Sequence, residues 1–261
     1  MEKKGSFVAV GVGMTLGAHI CPLSRSYIEQ ADIVFCSLSD KYVEEWVMTM
    51  NSEVRSLQSF YAVGKDRRET YKEMVSAMMT EVRAGKNVVG AFYGHPGVFA
   101  LAPHKVISLA RSEGFQAHME PGISAEDCLY ADMGLDPGTH GCIHYEANQF
   151  LMNKKCLDTS ALLILWQVGM VGDRKHEEFE SHQKYRKLLM QSLLAFYPAD
   201  HKVALYEAAV LPIDDVRIEW LPLKHLGDAK IHQHTTMVIP PAEGKRRDHD
   251  VLRMLDRLDD D

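Results

Sequence analysis

The chain has 261 residues, 46% hydrophobic and 25% charged, proportions ordinary for a globular protein in water. A formal net charge of -7 and a pI near 6.0 exclude a broad nucleic-acid surface, and Lys65, Arg67 and Arg68 form the most obvious local basic patch. The length admits one large domain or two modest ones, and even the apolar run from Ala161 to Trp166 is strand length, too short to span a bilayer.

The opening residues run straight into a strand without the apolar core of a signal peptide, so a cytoplasmic protein is expected. The cysteines agree. Cys21, Cys36, Cys128, Cys142 and Cys156 are odd in number, scattered, and never separated by two residues. That pattern fits neither a zinc site nor a disulfide framework and reads as reduced thiols. Among the 13 histidines only His232 and His234 have the spacing of one strand face. Two ligands do not define a site, so no metal is expected.

In chain order, Phe7 to Val10 reads as a buried strand that ends in a glycine turn. Ser24 is placed to cap a helix through Ala31, strand Ile33 to Cys36 follows, and Asp40 caps a helix over about 41–50. A longer helix runs from about Asp66 to Ala84 and stops at Gly85. Strand 88–92 leads into the loop Tyr93-Gly94-His95-Pro96-Gly97, and Pro103 opens a helix that closes at Gly114 before a short strand over 115–119. This βαβα rhythm predicts a mainly parallel sheet with helices on both faces. Beyond Pro121-Gly122, Ser124 and Asp127 have capping-box spacing. Strands are expected near 142–145, 161–167, 203–208, 216–221 and 235–239, with one polar helix over about 178–196. The expected architecture is therefore two α/β domains, 1–121 with a parallel sheet and 122–241 with a mixed one. A charged tail over 242–261 has Val251, Leu252, Leu255 and Leu258 at helical spacing, and its final acids, Asp259 to Asp261, oppose the macrodipole and predict fraying.

Three segments carry candidate chemistry. Gly11-Val12-Gly13-Met14-Thr15-Leu16-Gly17 follows the first strand, where cofactors dock in α/β folds, but its GxGxxxG spacing misses the dinucleotide fingerprint by one residue. A bare turn accounts for it equally well. Phe92 to Phe99 holds two glycines and a proline at the carboxyl end of a parallel strand, flanked by Tyr93 and Phe99. Such a loop shapes a crevice whose backbone groups suit an amino-acid-like tail, with an ordinary connection as the alternative. In the helix starting near Asp66, Arg67 and Tyr71 are four apart on a face that Met74 and Met78 continue. The pair reads either as core packing or as functional, because a cation in the first turn opposes the helix dipole.

Gly64-Lys65 through Tyr71, Phe92 through Phe99, Pro121 through Leu129 and Trp166-Gln167-Val168-Gly169, in that order, resemble the borosin peptide α-N-methyltransferases of the tetrapyrrole methylase superfamily. The resemblance runs from Phe7 to about Pro241 and is closest over 86–129. Ordinary tetrapyrrole methylases tend to have Gly-Asp-Pro where this chain has Gly94-His95-Pro96, and Gly13 to Leu16 lacks their Pro-Gly-Asp-rich first loop. Both departures point away from a porphyrin-like substrate. Fused borosins end in their own substrate peptide, whereas about twenty residues follow Pro241 here, so a split enzyme acting on a separate chain is expected. Fused relatives also carry a tyrosine where this chain has Gln58, which leaves Tyr61 as the better local candidate.

The resemblance implies a homodimer with S-adenosylmethionine in a cleft between two α/β domains, S-adenosylhomocysteine as product, and iterative methylation of backbone amides in a ribosomally made precursor. Tyr93, His95, Val98 and Phe99 would line the central loop, and Ser124 and Ala125 would contribute from the next helix. Gln167, Tyr206, Ala208, Thr235 and Thr236 would close the pocket from the second domain. The peptide nitrogen's lone pair is delocalised, so methylation requires loss of the N–H proton and stabilisation of charge on the carbonyl oxygen. A free phenol ionises only near ~10. Arg67, always cationic, is assigned to favour a phenolate and to steady that oxygen. Tyr71 is the first choice of base, with Tyr61 and Tyr93 orienting the amide. A small-molecule methyltransferase on the same fold, which would not need the Arg67–Tyr71 pair, and a cofactor-binding module without turnover are the competing readings.

Overall fold

A computed structural model describes residues 5–62, 64–173, 180–245 and 247–259. The chain divides into two compact units. The first is Met1–Leu135 with Asp173–Phe179 and Tyr206–Ile218; the second is Asp136–Gly172 with Glu180–Leu205 and Glu219–Asp261.

The first unit runs β1 (Ser6–Gly11), α1 (Pro22–Gln30), β2 (Ile33–Ser37), α2 (Lys41–Met48), β3 (Val54–Ser56), α3 (Arg67–Arg83), β4 (Asn87–Phe92), α4 (Leu101–Ser112), β5 (Gln116–Met119) and α5 (Ala125–Met133). Its sheet has the order β3-β2-β4-β1-β5, and every pairing in it is parallel. The apolar runs in these strands serve two cores at once, as a sheet covered on both faces requires. Phe7, Ala9, Ile33, Phe35, Val88 and Phe92 point to one core, with Met74, Met78 and Val82 of α3 and Val106 and Ala110 of α4. Val8, Val10, Val34, Cys36, Val89 and Ala91 point to the other, with Ile28 of α1 and Val43 and Val47 of α2. Burying one such side chain contributes roughly 1.5–3 kcal/mol, so the two-sided pattern dominates the stability of this unit.

Beyond it lie α6 (Pro137–His140), β6 (Cys142–Glu146), α7 (Ala147–Met152), β7 (Leu162–Trp166), α8 (Gln183–Leu194), β8 (Lys202–Glu207), β9 (Arg217–Pro222), β10 (Thr236–Ile239) and α9 (His249–Asp259). The second sheet has the order β6-β7-β10-β8-β9 and is mixed, since β6 pairs β7 parallel and β10 pairs β7 antiparallel. Leu163, Leu165, Val203, Leu205, Met237 and Ile239 build its core with Leu189 and Leu193 of α8.

Several expected elements differ. Ser24 is not a cap; it lies inside α1, whose N-cap is Cys21, because Pro22 takes the first helical position where its missing N–H costs nothing. The Ser24 hydroxyl is buried without a hydrogen-bond partner among the described residues. Strand β3 and the short helices α6 and α7 carry too little apolar periodicity to be read in advance. The helix expected over about 178–196 spans Gln183–Leu194 among the described residues, and its first expected positions, 178 and 179, lie outside them. Helix α9 forms, but every side chain on it is exposed, so its Val251-Leu252-Leu255-Leu258 stripe is not covered by the described residues of its own chain. Asp260 and Asp261 lie outside the described residues.

Candidate active site

Arg67 is the first residue of α3, after the N-cap Asp66, whose carboxylate accepts the Arg68 N–H at 2.8 Å. The sequence leaves the Arg67 cation opposed by the helix dipole, but a partner lies 106 residues on. The Arg67 Nη2 donates to Asp173 Oδ2 at 2.6 Å, with side chains only 13% and 3% exposed. A charge-assisted hydrogen bond of this kind is about twice as strong as a neutral one.

Three phenols lie near one another, and Tyr61 is the one on which the Arg67 charge acts. Tyr61 follows a 3₁₀ turn, Gln58–Phe60, and its N–H bonds Gln58 O at 3.1 Å. Lys65 pins the same turn by donating to Phe60 O at 2.9 Å. The Tyr61 and Tyr71 rings meet edge to face, with centroids 6.5 Å apart. Burial raises the Tyr61 phenol well above its usual value, Tyr71 and then Tyr93 add to that, and the Arg67 charge pulls the other way. Tyr93 is raised by burial and then by Tyr71, but the residue is 48% exposed and solvent softens that shift. A dry site therefore disfavours a phenolate, and Arg67 is the group opposing that tendency.

The glycines of the first turn and of the central loop have one physical cause. Gly94 N–H bonds Gly13 O at 2.8 Å, and the two residues form an isolated β-bridge. A Cβ on Gly11 would lie 2.2 Å from Gly94 O, and one on Gly122 would lie 2.5 Å from the same oxygen. Three backbone segments meet there with no room for side chains. Gly11 thus serves loop-to-loop packing, whereas Gly17 has open space around it and is a glycine for its φ of 74°.

Beyond this junction the central loop is held from within. The Gly97 N–H donates to His95 Nδ1 at 2.9 Å, which leaves that nitrogen unprotonated and places any ring proton on Nε2. His104 of α4 reaches Gly97 O with its Nε2 at 2.9 Å. Val98 and Phe99 are 41% and 49% exposed, and Phe99 has a φ of 50°, rare for an aromatic residue. Ser124 is buried and closes the capping box of α5, with its N–H on Asp127 Oδ2 at 2.7 Å and the Asp127 N–H on its Oγ at 3.4 Å. Ala125 is the first residue of that helix. Tyr206, which the chain order places far away, belongs to the same unit and donates its hydroxyl to Asp132 of α5 at 2.8 Å. Ala208 stands next to Ala209, whose carbonyl accepts from Thr15 Oγ1 at 3.0 Å.

Gln167, Thr235 and Thr236 belong to the second unit. Gln167 has a φ of 56°, a left-handed turn at the end of β7. The next residue's N–H bonds Thr235 O at 3.0 Å, and Thr235 Oγ1 accepts from the His232 N–H at 2.8 Å. Thr235 and Thr236 are both buried. Gln58 has a structural task, donating to Leu38 O at 2.9 Å. Sequence reasoning missed Asp173, Asp132 and His104; each works through a partner distant in sequence or on the next element, and no local spacing marks them.

Residues 6–218 match the Tetrapyrrole (Corrin/Porphyrin) Methylases, and the chain belongs to that family. It is 40% identical over 261 residues to the methyltransferase/ribosomally synthesized cyclic peptide gymnopeptides precursor of Gymnopus fusipes, covering 98% of this chain and 62% of that protein. Against the omphalotin A precursor of the same description from Omphalotus olearius, identity is 37% over 262 residues, with the same coverage. The chain thus spans 62% of the length of these curated relatives. Among solved structures, cobalt precorrin-4 methyltransferase superposes with a TM-score of 0.64 at 19% identity, covering 91% of this chain and 95% of that one. Uroporphyrin-III C-methyltransferase from Thermus thermophilus gives 0.64 at 16%, covering 95% and 99%. Both share the fold: α/β, with two sheets. Among the described residues, no helix is long and apolar enough to cross a membrane.

Proposed function

We propose that this chain is an S-adenosylmethionine-dependent methyltransferase that methylates successive backbone amide nitrogens of a precursor peptide, with S-adenosylhomocysteine as the other product. The observation that carries the reading is the cluster of Tyr61, Tyr71 and Tyr93 with the half-buried Arg67 cation acting on Tyr61. The relatives whose printed names pair a methyltransferase with a ribosomally synthesized cyclic peptide precursor support it.

The residues present fit the cofactor. Exposed apolar Val98 and Phe99 stand beside the tightly packed backbone of Gly94 to Gly97, which suits a ligand with a flat apolar base and an amino-acid tail. When bound, the cofactor supplies an electrophilic methyl group. The protein's own residues make the amide reactive. Arg67 stabilises negative charge on the substrate carbonyl oxygen as the N–H proton leaves. Tyr71, as phenolate, would take that proton, leaving the nitrogen's electron pair available to accept the methyl group that the cofactor would release from its sulfur. Tyr61 and Tyr93 hold the amide plane in line. Protonated phenols donate and phenolates accept, so this set can do both tasks at one amide.

The precursor is taken to be a separate chain, held by a docking segment outside the modified stretch, because a site that accepts successive amides cannot rely on any one side chain. The enzyme is taken to be a homodimer, with the exposed apolar stripe of α9 covered by the second copy. Incubation with labelled S-adenosylmethionine and a separately added precursor peptide tests the reaction: tandem mass spectrometry should place the label on backbone nitrogens. Label on a tetrapyrrole instead, or binding without transfer, would overturn it. A monomer by light scattering at micromolar concentration would overturn the dimer.

A further inference from the structure

We propose that Lys65 is a positioning residue for Tyr61: its ammonium ties the peptide unit that carries this phenol to α3 and so fixes Tyr61 against Tyr71. The inference rests on the reading above, in which Tyr61 orients the substrate amide. Lys65 precedes α3 and pairs with Glu73 on that helix, with side chains 27% and 48% exposed. An ion pair so open to solvent contributes little to stability. Stability alone thus gives little reason for a lysine here.

The second contact of the same ammonium gives one. Lys65 Nζ also donates to Phe60 O at 2.9 Å. Thr70 of α3, a buried residue, donates its hydroxyl to that oxygen at 3.4 Å. The Phe60 carbonyl and the Tyr61 N–H belong to one planar peptide unit. The N–H in turn bonds Gln58 O at 3.1 Å. Both polar ends of the unit are therefore held, one by the 3₁₀ turn before it and the other from α3. That helix supplies Thr70 and Glu73 to the brace, and it supplies Tyr71, whose ring meets Tyr61 edge to face. An ammonium suits the place, because its three donors on a flexible stem serve a carbonyl and a carboxylate together. Lys65 thus acts on the site through Tyr61.

The test uses the full chain with a separately added precursor peptide. Lys65→Met keeps the stem and removes the ammonium; Lys65→Arg restores donors for both oxygens. Lys65→Met should lower kcat about 10- to 100-fold, the expected effect of misplacing an orienting group by on the order of 1 Å. Kd for S-adenosylhomocysteine should stay within about twofold, and Lys65→Arg should recover part of kcat. Added to Tyr61→Phe, Lys65→Met should cost little more, because the hydroxyl it positions is already gone. A merely structural role would instead multiply the two losses and move Kd together with kcat.

A second measurement needs no turnover. In protein with isotope-labelled tyrosine rings, the Tyr61 and Tyr71 signals are assigned by their loss in Tyr61→Phe and Tyr71→Phe. Lys65→Met should shift both and leave Tyr27, which packs on the opposite face of the sheet, unmoved. Glu73→Gln, which leaves Lys65 its carbonyl contact, should shift Tyr61 in the same direction by less, and it serves as the folded variant where Lys65→Met fails to fold. An unmoved Tyr61 signal, wild-type kcat in Lys65→Met, or multiplied losses in the double variant would overturn the inference. A wild-type enzyme that transfers no methyl to peptide would overturn the functional reading instead, while the ring signals still decide whether Lys65 holds Tyr61.

Discussion

The starts of α3 and α5 both contribute candidate site residues, yet different parts of the chain satisfy them. At α5 the solution is local: Ser124 and Asp127 close a capping box within one turn, and Glu126 and Asp127 suit the positive end of the helix dipole. At α3 the cap Asp66 is local as well, but it is followed at once by Arg67, whose guanidinium pairs with Asp173, 106 residues away. The first arrangement costs the fold nothing. The second strains a helix start and removes two charges from water, and it lies at the phenol cluster. Departures from locally consistent sequence tend to mark function.

Arg67→Ala should break that contrast most severely. It strips the phenols of their cation and should cut methyl transfer on the order of 100- to 1000-fold, as loss of an oxyanion donor does. It should also destabilise the fold, because a buried carboxylate loses a charged partner, read as a drop in the denaturation midpoint.

Tyr71→Phe isolates the chemistry from the fold. It keeps the ring and its edge contact with Tyr61, so stability and cofactor affinity should barely change, while kcat falls roughly 100-fold or more. Near-normal rates measured on folded protein would remove Tyr71 as the base and pass that role to Tyr61 or Tyr93.

Ser124→Ala tests the locally solved helix start. Loss of the cap should cost about 1 kcal/mol, seen as a small drop in thermal midpoint, with S-adenosylhomocysteine affinity measured alongside by calorimetry. A loss as large as that of Arg67→Ala would erase the distinction between the two starts.

The smallest effect is a pH dependence. Burial first, and Glu44 second, push the Cys36 thiol from its ordinary 9.0 up to about 12. In the unfolded chain the thiol ionises near the ordinary value, so the native state holds an extra proton between the two. The contribution is full below pH 9.0 and is lost progressively as pH rises towards 12. Tyr61 and Tyr206, raised mainly by burial, act in the same direction from their ordinary 10.0 upward. Cys36→Ala should flatten the fall in thermal midpoint between pH 9.0 and 10.0, before the phenols contribute.

Much of this molecule is written in short-range pattern. The apolar runs at 7–10, 33–36 and 88–92 specify strands buried on both faces, and Asp40, Asp66, Ser124 and Gly85 mark helix ends, because capping and periodicity act within a few residues. Arg67 and Tyr71 share a face by helical spacing alone. Tertiary structure decided the rest. Gly11 and Gly122 are glycines because distant backbones converge on the Gly94 carbonyl, and Ser24 lies inside a helix because Pro22 starts it earlier. Tyr206 meets Asp132 across 74 residues, and Arg67 meets Asp173 across 106. Such partners leave no periodic trace, since burial and charge pairing depend on where the folded chain returns, and spacing along it carries no record of that.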